Sequence, residues 1–481
     1  MGLRPGVDVV LRSTPVPTSA PTNMGVSFVV GLSDTGPANQ ATPILSISDF
    51  ERIFGLRQSY SLLYDSLDIF FREGGGLVWI SRVVGPAAVT GTATLLDASA
   101  AIALTATAIG PGAFSSGISI GVRAGVGAGN FALFIVVGGV EVETSGDLAD
   151  NNAAVLWSKN SKYVRLTLGA SLLDPAVAAA KALSAGNDDR ANVTDAEWQK
   201  ALDGIPTDFG PGQVWSPGRT TDIGHQQLLS HANTHRRVAI LDAPDSSSIA
   251  ALQASVIASR AGSQRFGGMF WPWAVCDGVV AGTTRKVPWS AVQAAMMNRN
   301  DASGFGPSDP AAGDNGISFT AIDLSQVAVS DVNRDLLNSS GINVVRMMFG
   351  QARTYGYRTL VDPLTDSNWI SLGHARLFAI LAARGSAIGE RYMFDTIDGQ
   401  GKKIGEFAKD LVAMLQEYYF NGDLYGQTPA DAFRVDVGSA VNTPETLANN
   451  ELHAILAVKM SPFTEYVKIE IVKKPITEGM V

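Results

Sequence analysis

The sequence predicts a mixed α/β and α+β multidomain chain. It has an α/β core with an inserted β-sandwich-like module, a mixed C-terminal domain, and terminal β-strand arms exchanged with neighbours. Three observations carry this prediction. A strand–helix–strand pattern opens the body, short glycine-punctuated strands then replace it, and a short alternating strand stands apart at each end.

At the front, Val7, Val9 and Leu11 alternate with Asp8 and Val10. Residues 13–23 follow, with Pro15, Pro17 and Pro21. Such a stretch is extended, at about 3.1 Å per residue. At the back, Val467, Ile469 and Ile471 point one way, Tyr466, Lys468 and Glu470 point the other, and Val472 ends the run. Strands with an apolar face and open edges aggregate when left alone. These twelve residues are therefore candidate strand donors, and the economical acceptor is a neighbouring copy of the same chain.

Composition suits an assembled protein. The chain has 481 residues, enough for roughly three domains of about 150 residues. Only 17% are charged, against about 25% in ordinary soluble domains. A net charge of −9 argues against nucleic-acid binding, which needs a basic face. The single cysteine, Cys276, cannot make an intrachain disulfide. No basic-then-apolar leader opens the chain, and no apolar run approaches the roughly 20 residues of a membrane span. The expectation is a soluble protein of a reducing cytosol, with neither cofactor nor membrane insertion.

The body begins with an apolar strand over 25–32, continuous as expected for one buried on both faces. Ser48, Asp49, Phe50 and Glu51 read as a capping box for a short helix ending near Gly55. A second helix over 60–73 carries Leu63, Leu67, Phe70 and Phe71 on one face, and the strand over 77–84 returns parallel to the first. From 89 to 168 the pattern is short strands and glycine turns with no strong helix, which predicts the inserted module. A polar stretch leads back to a strand over 238–242, a helix over 246–260 and a strand over 268–275. Residues 298–316 read as an exposed loop. The last third is more helical, with helices over 371–384 and 406–420, and strands over 432–437 and 453–460. The expected organisation is an arm and linker (1–23), the core (24–86 with 219–350), the module (87–186), a linker (187–218), the C-terminal domain (351–464) and the second arm (465–481).

Enzyme-like signals are weak. Gly125, Gly127 and Gly129 lie between strands with no helix after them, so a hairpin loop is the better reading than a dinucleotide site. Gly399, Gly401, Lys402 and Lys403 lack phosphate-loop spacing and lead into a helix. His231 and His235 fall four apart on a helix with His225 nearby, but no acidic or cysteine partner accompanies them. A solvated face beside Arg236 and Arg237 is preferred. Asp242 stands at a strand end, where an α/β enzyme places a catalytic acid, and reads as a cap or turn residue. Cys276 reads as buried.

Taken in order along the chain, a set of segments resembles the contractile tail sheath proteins of contractile-tailed bacteriophages and related injection machines. They are Arg4-Pro5-Gly6-Val7, the strand 25–31, Ser48-Asp49-Phe50-Glu51-Arg52-Ile53-Phe54-Gly55, and Phe70-Phe71 leading to Val78-Trp79-Ile80-Ser81-Arg82-Val83. Pro272-Trp273, residues 338–346, Tyr355-Gly356-Tyr357-Arg358-Thr359-Leu360, Asn421-Gly422-Asp423-Leu424-Tyr425-Gly426 and Pro462-Phe463-Thr464-Glu465-Tyr466 complete it. The resemblance runs nearly end to end, and order and spacing carry it more than any one motif.

The resemblance implies a structural, non-enzymatic subunit that stacks in rings or a multi-start helix around a tail tube. The arms would add strands to a neighbour's C-terminal domain, with Ala454, Leu456 and Val458 on the candidate receiving edge. Lys402, Lys403, Glu406 and Lys409 would face the tube, although a solvated face is the plainer reading of such charges. Further implied partners are the tube, baseplate and tail terminator proteins. The implied location is the virion tail, assembled in the host cytoplasm, where a metastable extended sheath contracts to drive genome ejection. The alternatives are an α/β oxidoreductase or hydrolase with an unrecognised site, and the sheath of a non-phage injection system.

Overall fold

The computed structural model describes residues 24–260, 264–326 and 330–470. Val7, Asp8, Val9, Val10, Leu11, Ile471 and Val472 lie outside the described residues.

Strand β1 (Ser27–Gly31) is buried throughout. Strand β2 (Thr42–Ile44) leads to helix α1 (Ile47–Phe54), capped by Ser46, whose side chain accepts from the Asp49 backbone N–H. The cap is thus Ser46 and not Ser48. Helix α2 (Leu63–Arg72) buries Leu63, Leu67 and Phe70, and β3 (Val78–Arg82) pairs parallel to β1 as expected.

The next stretch holds β4 (Thr92–Leu96), β5 (Ile102–Ala108), β6 (Ile118–Ala124), β7 (Phe131–Val137), β8 (Val140–Thr144), α3 (Asn151–Ser158), β9 (Val164–Leu168) and β10 (Ala178–Ala182). They form two antiparallel sheets, β4-β5-β9 and β10-β6-β7-β8. Leu104, Ile120, Leu133, Ile135 and Val164 share one apolar cluster between them. Helix α3, capped by Asp150, stands in the stretch where no strong helix was expected. Fully buried Arg82 ties this unit to the core: it donates to the carbonyls of Ser33, Asp34 and Gly36 and, at 2.7 Å, of Pro111.

The chain returns through α4 (Asp195–Asp203), β11 (Gln213–Trp215), α5 (Asp222–His235), β12 (Val238–Asp242), α6 (Ile249–Ser259) and β13 (Gly267–Trp271). Strands β14 (Ala274–Asp277) and β15 (Thr284–Val287), helix α7 (Trp289–Ala302), β16 (Ala321–Leu324), α8 (Asp331–Ser339), β17 (Ile342–Met348) and β18 (Gln351–Thr354) follow. The main sheet runs β18-β17-β13-β12-β11-β1-β3-β2. Its six inner strands are parallel, and β18 and β2 are antiparallel edges.

Successive side chains of β1 serve opposite faces. Val29 joins the cluster with α1, α2 and α7, whereas Phe28 and Val30 join the one with α4, α5 and α6.

Three expectations are corrected here. Residues 187–218 are not a linker: they supply α4 and the central strand β11, which bonds to β1 and β12. The strand over 268–275 is two strands, because Pro272 has no N–H for a ladder and the chain turns into a second sheet, β15-β14-β16. Residues 298–316 do not form one exposed loop. Asn298 and Asn300 are buried in α7, and buried Ala311 accepts from Gln293 through its carbonyl.

The C-terminal part comprises α9 (Leu372–Glu390), α10 (Lys402–Phe420), α11 (Pro429–Ala432), β19 (Phe433–Asp436), α12 (Pro444–Ala448) and β20 (Ile455–Val458). Its core is continuous with that of the main sheet through Tyr357, Leu372, Leu377, Leu411 and Leu415. Buried Arg376 on α9 reaches Asp301 at the end of α7 at 2.6 Å, bonding the two parts across their boundary.

Candidate assembly surface

Helix α10 presents Phe407, Leu411, Met414, Leu415 and Tyr418 along one buried stripe, the 3.6-residue pattern of a one-sided helix. Against this core pack Phe433 and Val435 of β19 and Leu456 and Val458 of β20. The two strands pair antiparallel, Phe433 opposite Val458 through Asp436 opposite Ile455. They form a sheet of two strands only. Each therefore keeps one edge that no strand of this chain covers, among the described residues. Isolated two-stranded sheets are marginal in water, and this one borrows its stability from α10. Ile455, on the side away from the core, is 58% exposed.

The candidate receiving residues fall at this place. Leu456 and Val458 lie in β20, Ala454 just before it, and all three side chains pack toward the core. What they can offer a partner is the backbone edge.

After β20 the chain is tied back twice. His374 Nε2 lies 3.1 Å from the Ser461 carbonyl. Arg358 then grips Glu465 with two parallel bonds, Nε to Oε1 at 3.0 Å and Nη2 to Oε2. Arg358 is itself fixed. Its backbone N–H donates to Asn343 Oδ1 at 2.6 Å, its carbonyl accepts from Asn343 Nδ2 at 2.8 Å, and Nη1 donates to the Asn338 carbonyl. Three sequence segments singled out separately thus meet at one guanidinium. Beyond Glu465 the chain leaves the surface: Tyr466, Val467 and Ile469 are 81%, 70% and 79% exposed. Residues 466–470 have no strand pairing among the described residues.

On the candidate tube-facing helix start, Lys402 and Lys409 are exposed. Lys403 pairs with Asp395 at 3.2 Å and Glu406 at 3.1 Å, which raises its pKa, the Glu406 bond first.

The enzyme-like groups are engaged internally. His225 and His231 are buried, which corrects the solvated-face reading. His231 Nε2 accepts from Arg237 at 2.7 Å, so the lone pair a metal would need is occupied. Burial, with Arg237 beside it, pushes the His231 pKa down to about 2. Burial takes His225 to about 4. Asp242 accepts from the Ser290 backbone and hydroxyl at the start of α7 and from the Gly218 N–H, a capping role reached across the sheet. Burial raises its pKa to about 6. A crevice of about 380 Å³ opens where β1 and β11 end. This is the topological switch point of the sheet, where α/β proteins hold ligands. Its Arg219 is already paired with Asp195 at 2.6 Å and stacked on Trp198. Cys276 is buried, and the 125–129 glycines form the β6–β7 hairpin loop.

No family model and no curated protein matches the chain. Solved structures do. A chain of the anti-feeding prophage baseplate is 14% identical, with a TM-score of 0.58 over 98% of this chain and 100% of that one. The sheath tail protein of Listeria innocua is 14% identical, with a TM-score of 0.59 over 91% and 95%. The sheath of an extracellular contractile injection system in its contracted state is 14% identical, with a TM-score of 0.57 over 98% of each chain.

Proposed function

The chain has the fold of contractile sheath proteins over nearly its whole length, and we propose that it is a structural, non-enzymatic sheath subunit. Copies polymerise helically around an inner tube and contract from a metastable extended state, driving the tube through a cell envelope. The observation that carries this reading is the two-stranded sheet β19–β20 standing open beside an exposed, alternating C-terminal segment.

In this reading, residues 466–472 of one subunit and 7–11 of another extend the β19–β20 sheet. Each added strand contributes several backbone bonds of about 1 kcal/mol net and apolar burial of roughly 1.5–3 kcal/mol per side chain at Val467, Ile469 and Ile471. Two donated strands per subunit make the lattice strong by multivalency. The proline-rich residues 13–23 act as a tether that lets bodies rotate while pairing survives. Lys402 and Lys409 are the candidate tube contacts, and the two-sheet unit after β3 is the candidate outer module. Baseplate and terminator proteins would close the ends.

Electron microscopy of the purified protein, untagged at both termini, tests the reading across a concentration series. Hollow tubes or stacked rings support it; small closed particles at every concentration overturn it.

Bacteriophage tails and genome-free injection systems both fit the mechanism, and the fold is shared alike by a sheath tail protein and by an extracellular injection-system sheath. Nucleic acid in particles purified from the source would decide for a phage tail.

A further inference from the structure

Phe319 is held with most of its apolar side chain outside the subunit. It is 69% exposed, yet its backbone is clamped: the N–H donates to both carboxylate oxygens of fully buried Glu73, at 3.0 Å each. The same carboxylate also receives the Thr320 N–H at 2.9 Å, the Thr320 hydroxyl at 2.7 Å and the Ser318 hydroxyl. Arg299 completes the clamp, donating to Glu73 at 2.8 Å and covering one face of the Phe319 ring at 3.9 Å from its centroid. One ring face is therefore fixed on a cation, and the rest is open to solvent. Rigid aromatic presentation of this kind is how binding anchors are built.

The start of the described chain meets the same helix that carries Arg299. A Cβ on Gly25 would sit 3.7 Å from Asp301 Cβ and 3.9 Å from the Asn298 carbonyl, both on the turn of α7 that carries Arg299. A Cβ on Gly74 would touch Arg299 at 3.6 Å. The sequence before Met24, residues 13–23, has no charged residue and three prolines, Pro15, Pro17 and Pro21. Pro21 is three residues before Met24, a reach of roughly 10 Å at about 3.1–3.3 Å per residue. Aromatic faces are the usual docking surface for proline-rich extended chain.

We propose that Phe319 is the docking anchor for the proline-rich segment 13–23 of its own chain. The contact fixes the direction in which the N-terminal arm leaves the subunit. It belongs to the single chain and holds whether or not the sheath reading does.

The test is photocrosslinking of the full-length protein carrying Phe319→p-benzoyl-phenylalanine, made as a mixture of heavy-isotope and natural-isotope chains. The expected result is crosslinks to residues 13–23 within chains of one isotope. Crosslinks to another surface, mixed-isotope pairs, or none at all overturn the proposal. A reverse probe, Thr18→p-benzoyl-phenylalanine, leaves the clamp intact and is expected to mark Phe319 and its neighbours; failure to do so overturns it equally. In the monomer, Phe319→Ala is expected to speed proteinase K cleavage within 13–23 about threefold to tenfold, as loss of one aromatic contact implies; an unchanged rate overturns it.

Discussion

Arg358 and Glu465 form the root of the C-terminal arm: two parallel bonds, at 3.0 Å for the Nε–Oε1 member, hold the last anchored residue before the chain leaves the surface. The pair is partly solvated, with side-chain exposures of 21% and 36%, so its value to the monomer is about 0.2–1 kcal/mol. Its consequence is directional, because Tyr466 to Glu470 start from wherever Glu465 is pinned. Glu465→Gln is expected to leave the monomer melting curve almost unchanged. It should raise the concentration needed for tube formation about twofold to fivefold, read by light scattering.

Removing the arms separates folding from assembly. Among the described residues, truncation after Glu465 takes away none that belongs to the apolar clusters. The truncated chain is expected to melt like the full one and to form no tubes. Deleting residues 1–20 is expected to do the same. Normal, contractile tubes from either deletion would overturn the strand-donation reading.

The open sheet makes a similar prediction from the receiving side. Ile455 points away from the core and is 58% exposed, so Ile455→Asp is expected to change monomer stability by no more than about 0.5 kcal/mol. A charge there meets the donated strand, and tube formation is expected to fail.

The buried histidines should cost stability in mild acid. His225 and His231 are held neutral, at about 4 and about 2 against an ordinary 6.5, by burial first. Below about pH 6.5 the unfolded chain takes up protons that the folded chain refuses, so each group loses about 1.4 kcal/mol per pH unit. Asp242 works the other way. Its raised value of about 6 means that the folded chain binds the proton first, and its term improves as pH drops from 6 toward 4. His235, lowered by burial first, adds to the losses, and Asp301 and Asp423, raised by burial first, add to the gains, so mutation is what isolates a single histidine's slope. His231→Gln keeps an acceptor for Arg237 and is expected to remove one of the losing slopes, measured by urea unfolding between pH 6.5 and 4.

Among the described residues Glu73 is the most heavily used carboxylate, with Arg299 and the 318–320 segment as donors. Glu73→Gln breaks a buried pair without removing Arg299, so a loss of about 3–5 kcal/mol is expected by chemical denaturation.

Local pattern was enough for β1, β12 and the buried stripe of α10, because each is a periodicity of one short segment against one solvent boundary. The glycine hairpin after β6 was legible for the same reason, whereas α10 begins at Lys402 and not at the expected 406. Helix α7 was not: it is buried on nearly every side, so it has no polar face and no period to detect. Strand β11 is three residues long and begins with Gln213, and only bonding to β1 and β12 makes it a strand.

The twelve alternating terminal residues and the order of motifs pointed to assembly by strand donation before any fold was known. Tertiary structure alone decided that the arm is anchored through Arg358, Asn343 and Glu465, and that β19 and β20 stand as an unfinished pair. It also decided that Arg82, Glu73 and His231 are buried. A buried charge is tolerated only where donors or acceptors converge on it, and for Arg82 and Glu73 those come from segments tens to hundreds of positions apart, a distance over which sequence pattern carries no signal.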